Sequence, residues 1–393
     1  MKSLLCFYDM AVSPCSYDFF TFLYSAEICR KRRGLDFVKL IIVHGTKEYF
    51  RDDQIRSIDQ NKTFFHNVII PGIALLPSCN SFMWIRREEI NLQDLDPTFI
   101  FPRGYAPLQP VSEYVAHELV CARIRNDEVS YLKAPDYAKK IVNEFIKSLP
   151  QEREVITLTM RELDRDDPNN SRRISANVWS KAIDHLANDF NIVVVRDTGA
   201  SHTEKKFDNS FECPEASLHL HFRMALYELS FTNFIKNTGP GVLLLYGMVN
   251  CRYFGELDND IVAVSESWFE NNFGMTKGGQ YPMTTASKRF VWESENFEEI
   301  ISLAMKTNKN EKLSNQLNEI NHSGDVLPSL SVALRQLLKN LNYNLLEEDI
   351  NLFKSMRVLM HQHYPGLEIE SLLVEGAKTA AQKKGVEKIF QSS

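Results

Sequence analysis

The spacing of apolar and polar positions divides the chain into strand-like and helix-like stretches. Residues 3–8 (SLLCFY) form a short apolar run ending at Asp9, which predicts a first buried strand. Residues 17–33 carry apolar positions at helical spacing, finish on Lys31, Arg32 and Arg33 where the helix dipole favours cations, and stop at Gly34. Residues 37–43 (FVKLIIV) are β-branched and apolar and predict a second buried strand. Another apolar run at 67–76 is broken by Pro71 and Gly72; 102–110 reads as loop, and 112–124 and 135–149 as helices. Strands alternating with helices predict a parallel sheet covered on both faces.

The pattern restarts after a polar stretch at 149–154 (LPQERE), which places a domain boundary there and makes 1–150 the first domain. Residues 155–160 (VITLTM) predict a strong strand, 161–173 a polar loop, 175–190 a helix behind a serine cap, and 192–195 (IVVV) the next strand, together a β-loop-α-β unit. Helices at 220–229, 240–246 and 297–305 and strands at 233–235 and 261–264 complete a second Rossmann-like domain over 151–306. Beyond it, 313–320, 330–341, 346–361 and 367–383 are helical in period, punctuated by Pro328, Pro365 and Gly366, so 307–393 reads as a helical C-terminal appendage.

Composition narrows the function classes. At 393 residues, 44% hydrophobic and 24% charged, the chain is long enough for two domains and an appendage. A formal net charge of -6 argues against nucleic acid as a partner. The seven cysteines are odd in number and widely spaced, without a C-x-x-C pair, which predicts reduced thiols in a cytoplasmic protein. The first residues lack the features of a signal peptide, and no apolar run approaches the ~20 residues of a membrane helix. No integral membrane segment is expected, and peripheral association with a membrane stays open.

In open α/β sheets, ligands bind beyond the carboxyl ends of the strands, and three polar clusters fall at such ends. The first is Arg161 and Glu162 with 164–173 (DRDDPNNSRR), which holds Asn170, Ser171, Arg172 and Arg173. Its guanidinium groups suit bidentate phosphate contacts, the plain alternative being a solvated charged loop. The second is Arg196, Asp197 and Thr198: Asp197 either holds a ribose or base edge or closes a strand-end salt bridge or cap. The third is Asn237, Thr238, Gly239, Pro240 and Gly241 ahead of an apolar run. Here a helix start with free amides and glycines that admit a ligand to the backbone makes an anion site; the alternative is a mere turn. It is neither a P-loop nor a G-x-G-x-x-G fingerprint.

Other residues offer weaker chemistry. Arg223 and Glu228 share a helix and either pair with each other structurally or reach the ligand. His219 and His221 lack a completing cysteine or carboxylate pattern, so no metal is expected. Residues 277–280 (KGGQ) form either a loop that closes over a ligand or an ordinary surface loop. Asp9 and His44 each end a strand, as a general base facing the cleft or as a cap.

Taken together, the strings ITLTMRELDRDDPNNSRR, VVVRDTGA, LHFRMALYELSFTNFIKNTGPGVLLL, GMTKGGQYPM and KRFVWESENFEEI resemble a bacterial glycosyltransferase-like family linked to cell-surface polysaccharide synthesis. The match runs from about residue 155 to 300. The Thr-Gly-Pro turn is more distantly similar to the donor-side turn of heptosyltransferases, and the strand-end arginines to those of fucosyltransferases. The family's Arg-Asn-Ser appears here as Asn169-Asn170-Ser171-Arg172, so its arginine would come from Arg172 or Arg173; its Asn-Gly-Pro appears as Asn237-Thr238-Gly239-Pro240. Arg161, Glu162, Ser171, Arg196, Asp197, Glu228, Asn237, Gly239, Pro240 and Gln280 carry over. The resemblance implies a GT-B architecture, two Rossmann-like domains facing across a cleft, with a nucleotide-sugar donor against the second domain. The diphosphate would meet Gly239 and Pro240, Arg161, and Arg172 or Arg173, and the acceptor would be a glycan or other cell-surface molecule. Such donor sites usually need no metal, and no cofactor is implied. Asp9 and Glu162 are the candidate catalytic carboxylates. A sugar-nucleotide epimerase or hydrolase on the same fold, and a non-catalytic nucleotide-sugar-binding protein, are the alternatives.

Overall fold

The computed structural model describes residues 1–52, 56–111, 116–150, 152–162, 173–308, 310–311, 317 and 323–392. Its strands are β1 (Ser3–Asp9), β2 (Phe37–Val43), β3 (Cys79–Ile85), β4 (Ile100–Phe101), β5 (Val155–Thr159), β6 (Asn191–Val195), β7 (Phe211–Glu212), β8 (Thr232–Lys236), β9 (Cys251–Phe254) and β10 (Lys288–Val291). They form two sheets, ordered β3-β2-β1-β4 and β10-β9-β8-β5-β6-β7, and every neighbouring pair is parallel. Counted from β5, the second sheet has the order 3-2-1-4-5-6 of a dinucleotide-binding fold read from its β7 edge, and the first sheet has the leading 3-2-1-4 of the same scheme. The fold is α/β, as the alternation of strand and helix signals requires.

Period-two alternation distributes the strand residues between two layers. On β5, Ile156 and Leu158 enter a core with Trp179, Ile183 and Leu186 of helix Ala176–Leu186 and Ile300 and Leu303 of helix Phe297–Met305. Thr157 and Thr159 point the other way, onto helix Leu220–Leu229 and its exit, where their hydroxyls meet Ser230 Oγ at 2.6 Å and the Tyr227 hydroxyl at 2.7 Å. The remaining core is continuous between the sheets: Leu4, Cys6 and Tyr8 of β1 belong to the same apolar cluster as Ile235 and Tyr253. The bridge is the contact of helix Phe19–Arg32 with helix Gly241–Tyr246, where Tyr24 stacks on Tyr246 at 4.4 Å and Thr21 meets the Tyr246 hydroxyl at 3.2 Å.

The C-terminal helices pack on the first half. Helices Ser323–Asn340, Glu347–His363, Ile369–Gly376 and Ala380–Ser392 share a core with Cys121 of helix Ala116–Arg125. Glu348 is clamped by Arg32 at 2.9 Å and Arg33 at 2.8 Å, and Asp349 by Arg103 at 2.7 Å. No helix among the described residues is long and apolar enough to cross a membrane.

Several sequence expectations change. The apolar run at 261–264 is not a strand: Val262 is 75% exposed, the segment makes one 3-10 turn, and β9 takes the sheet position instead. Strand β3 follows no predicted run, because its central residues are exposed on a sheet edge and carry no burial pattern. Pro328 lies inside helix Ser323–Asn340 instead of ending one, and 367–383 divides into two helices. The helix expected at 313–320 lies outside the described residues except for Leu317.

Candidate functional site

The second sheet reverses its winding between β5 and β8, so its crevice lies at their carboxyl ends. Arg161 and Glu162 leave β5 there, and Asn237 and Thr238 leave β8. The two exits meet, with Arg161 Nη1 3.5 Å from the Thr238 hydroxyl. Behind them Arg223, on helix Leu220–Leu229, is only 5% exposed. Its Nε donates to the carbonyl of Ala216 at 2.8 Å and its Nη2 to that of Ser217 at 3.1 Å. Burial works against its charge, but Tyr17, Tyr227 and Asp197 outweigh that and raise its pKa. Arg223 forms no ion pair among the described residues, so carbonyl dipoles are its direct partners. A buried charge held this way is costly unless an anion completes it.

Arg196 and Glu162 are also brought together, but for each other. All five N–H groups of Arg196 are used: Nε and Nη2 grip the two oxygens of Glu162 at 2.6 and 2.8 Å, and the others reach Glu212, the Glu204 carbonyl and Thr203. Arg196 therefore has no donor left for a ligand, and both Glu162 oxygens are held by it. Asp197 accepts the Glu162 backbone N–H at 2.5 Å and so ties the exits of β5 and β6, while burial raises its pKa.

The glycine-proline bend differs from the expected anion cradle. The first three amides of helix Gly241–Tyr246 donate back to the carbonyls of Thr238, Gly239 and Pro240, at 3.0, 3.3 and 3.1 Å. They are consumed by a tight turn and do not point at a ligand. A Cβ on Gly239 would lie 2.7 Å from Cδ2 of Tyr17, and one on Gly241 2.3 Å from Cε2 of Tyr253. The glycines thus admit two tyrosine rings, one of them from the loop after β1. Asn237 accepts the Tyr253 hydroxyl at 2.9 Å.

Three further candidates turn away from the crevice. Glu228 takes the Ala134 amide at 2.6 Å and Lys139 at 2.7 Å, joining its helix to helix Asp136–Ser148. The Gln280 side chain pairs with both backbone groups of Phe290 at 3.2 and 2.8 Å and so finishes the edge of β10. The 277–280 loop is pinned: a Cβ on Gly279 would meet Asp325 Oδ2 at 2.1 Å. His221 has both ring nitrogens engaged, by the Tyr137 hydroxyl at 2.5 Å and the Pro71 carbonyl at 2.6 Å. Arg173 contributes its carbonyl to Lys236 at 3.1 Å, while Asn170, Ser171 and Arg172 lie outside the described residues.

In the first sheet, Asp9 ends β1 and is 2% exposed. One of its oxygens accepts from Arg87 at 2.7 Å and from the Ala11 amide at 3.0 Å, the other from the Tyr105 hydroxyl at 2.9 Å. In this state the Asp9 carboxylate is enclosed and fully paired, so a role as base would need Arg87 or Tyr105 to release it. His44 stands between Tyr49 and Trp84, with ring centroids at 4.7 and 5.1 Å, and burial lowers its pKa.

The chain matches no family model and no curated protein. Among solved structures it is similar to the ADP-heptose lipopolysaccharide heptosyltransferase II of E. coli, at 10% identity and TM-score 0.40 over 78% of this chain and 99% of that one. It is also similar to a family 9 glycosyl transferase of Veillonella parvula, at 10% identity and TM-score 0.42 over 90% and 97% of the two chains. A third is the iron-containing dodecameric glycosyltransferase TibC of enterotoxigenic E. coli, at 12% and 0.34 over 100% and 77%. Likenesses this distant decide nothing about chemistry.

Some residues of the site escape sequence reading. Lys236, the last residue of β8, is buried between Glu256 at 3.0 Å, Glu295 at 3.6 Å and the Arg173 carbonyl. Glu295 also receives the Trp179 indole N–H at 2.7 Å and the Ser175 amide at 3.1 Å. The available signal was a lysine directly after the apolar pair Phe234 and Ile235 at the end of a strand. Tyr17 gave none, since an aromatic at a helix entrance reads as core.

Proposed function

We propose that the chain is a glycosyltransferase that moves a sugar from a nucleotide-sugar donor to a glycan or other cell-surface acceptor without a metal. The observation that carries this reading is Arg223, a buried guanidinium held by carbonyl dipoles beside the exits of β5 and β8, with Arg161 at the same exits. In a sheet of this winding, that is where a nucleotide's diphosphate belongs. Two guanidinium groups there offset the charge that develops on the leaving diphosphate, the role a divalent ion fills in other sites. The sequence resemblance over 155–300 points the same way.

A second reading has an observation of its own. Asp9 and Glu162 are both fully committed to arginines, at 2.7 and 2.6 Å, and this favours a protein that binds a nucleotide sugar without turning it over. One experiment separates the two: incubation with ADP-, GDP-, UDP- and dTDP-sugars, with and without a glycan acceptor, following nucleotide release and sugar transfer. Nucleotide release that depends on acceptor supports the transferase. Acceptor-independent release supports a hydrolase, saturable binding without release a binding protein, and no binding of any donor ends the proposal.

A further inference from the structure

A cavity of about 590 Å³ lies between the first half and the C-terminal helices, away from the β5/β8 crevice. Its size is in the range of small-molecule sites, roughly 300–1,000 Å³. One part of its wall is apolar: Leu92, Leu95 and Ile100 from the segment leading into β4, and Leu341 and Leu345 from the turn between helices Ser323–Asn340 and Glu347–His363. The opposite part is cationic. Lys384 and Lys388, four residues apart on helix Ala380–Ser392, share one face of that helix and both line the cavity. Both are exposed, and neither is ion-paired among the described residues.

The third cation of the wall, Arg103, is already neutralised. Its Nη1 reaches both oxygens of Asp349 at 2.8 and 2.7 Å, and its Nη2 donates to the Asn344 carbonyl. Asp349 is in turn satisfied by Asn340 at 3.1 Å and the Leu346 amide at 2.8 Å. This network fixes the turn that supplies the apolar wall, and it contributes no net charge. Among the described residues no carboxylate lines the cavity. The charge facing its occupant is therefore that of the two lysines, set against a hydrocarbon surface. The enclosure is built into the backbone: Gly104 has φ +75° and lies where a Cβ would be 2.2 Å from Cζ of Tyr343, so the Tyr343 ring closes one side directly over the main chain.

From this arrangement we infer that the cavity binds a single-chain amphiphile, an aliphatic chain against the leucines with an anionic phosphate or carboxylate head at Lys384 and Lys388. Apolar burial supplies the binding energy and the lysines the head-group preference. The inference is independent of the glycosyltransferase reading, because it involves neither Arg223 nor any other residue of the β5/β8 crevice. The site does touch the first sheet's own carboxyl end: Tyr105 lines the cavity, and its hydroxyl donates to Asp9.

The test is isothermal titration of the full chain with decyl phosphate below its micelle concentration, beside decanol, decyltrimethylammonium and inorganic phosphate. Saturable binding of decyl phosphate, with the other three markedly weaker, is expected. The K384E/K388E double variant should lose at least about tenfold in affinity through two lost charge contacts. Ala381→Trp, at an exposed position lining the cavity, should take up part of it and weaken binding while circular dichroism and the melting temperature stay unchanged. Uptake from phosphatidylcholine vesicles doped with a long-chain prenyl phosphate would assign a membrane-held source, and binding of the free monomer alone a soluble one. The inference is overturned if decyl phosphate does not bind, if the cationic amphiphile binds as well as the anionic one, or if a folded Ala381→Trp variant binds unchanged.

Discussion

The two sheets share a winding scheme but differ in the electrostatics of their switch points. Between β1 and β4 the carboxylate is enclosed: Asp9 has an arginine, a tyrosine hydroxyl and a backbone amide, and its charge is balanced inside the protein. Between β5 and β8 the balance is left incomplete. Arg196 and Glu162 cancel each other, whereas Arg223 is buried against carbonyl oxygens with Asp197 as an electrostatic neighbour beyond ion-pair range. A shared 3-2-1-4 winding thus yields one end whose charges are balanced and, on the proposed reading, one that seeks an anion. Winding says where a ligand would sit, and the local charge balance would decide which of the two places is used.

The largest expected effect lies at the closed end. Asp9→Ala removes the partner of Arg87 and leaves a half-buried guanidinium uncompensated. Breaking such a pair costs about 3 kcal/mol, the low end of the usual range because Arg87 is partly exposed. Calorimetry should show the lower melting temperature, with nucleotide affinity unchanged once the variant is folded. A variant that keeps its stability and loses sugar transfer would instead make Asp9 the base and erase the contrast between the two ends.

At the open end the effect should fall on binding instead of stability. Arg223→Met keeps much of the side chain's bulk and removes its charge. A lost hydrogen bond to a charged group costs about 1.5–3 kcal/mol, so the affinity for a nucleoside diphosphate should fall by roughly 10- to 100-fold. Arg161→Ala should act in the same direction. Equal affinity of wild type and Arg223→Met, measured by titration with ADP, GDP and UDP, would show that the buried guanidinium is structural.

The strands and their polar ends were legible in the sequence, but the contrast between the two ends was not. Periodicity locates β5, β6 and β8 to within a residue or so, because each is an apolar run bounded by polar turns, and strand ends are where Arg161, Arg196 and Thr238 stand. Spacing does not reveal partners. Arg196 reads as a substrate-binding candidate until Glu162 and Glu212, distant in sequence, are seen to use up its donors. Gly239 reads as room for a ligand until Tyr17 is found packed on it. A glycine reports that something approaches the backbone, not what does. The same holds for β3 and β9, whose short, exposed or arginine-containing runs carry no clear period, and whose places are set by the strands beside them.

The smallest expected effect sharpens the comparison most, because it reads the charge balance of the open end directly. Burial raises the pKa of Asp197 above its usual value near 3.8, against the lowering influence of the Glu162 amide and of Arg161 and Arg223. As pH falls from neutrality toward the folded pKa, Asp197 takes up a proton earlier than an ordinary aspartate. Its negative charge then no longer competes with a diphosphate for the field of Arg223. A nucleotide sugar, whose diphosphate does not itself titrate in this interval, should therefore bind a few-fold more tightly on mild acidification, an effect of about 1 kcal/mol or less. The sign is opposite to that of a carboxylate stabilised by a cation, whose folded pKa is depressed and whose protonation comes later. Asp197→Asn should fix the tighter-binding state and flatten the pH profile. Weaker binding on acidification, or a slope that survives in Asp197→Asn, would place the diphosphate away from Asp197 and Arg223 and leave the two sheet ends electrostatically alike.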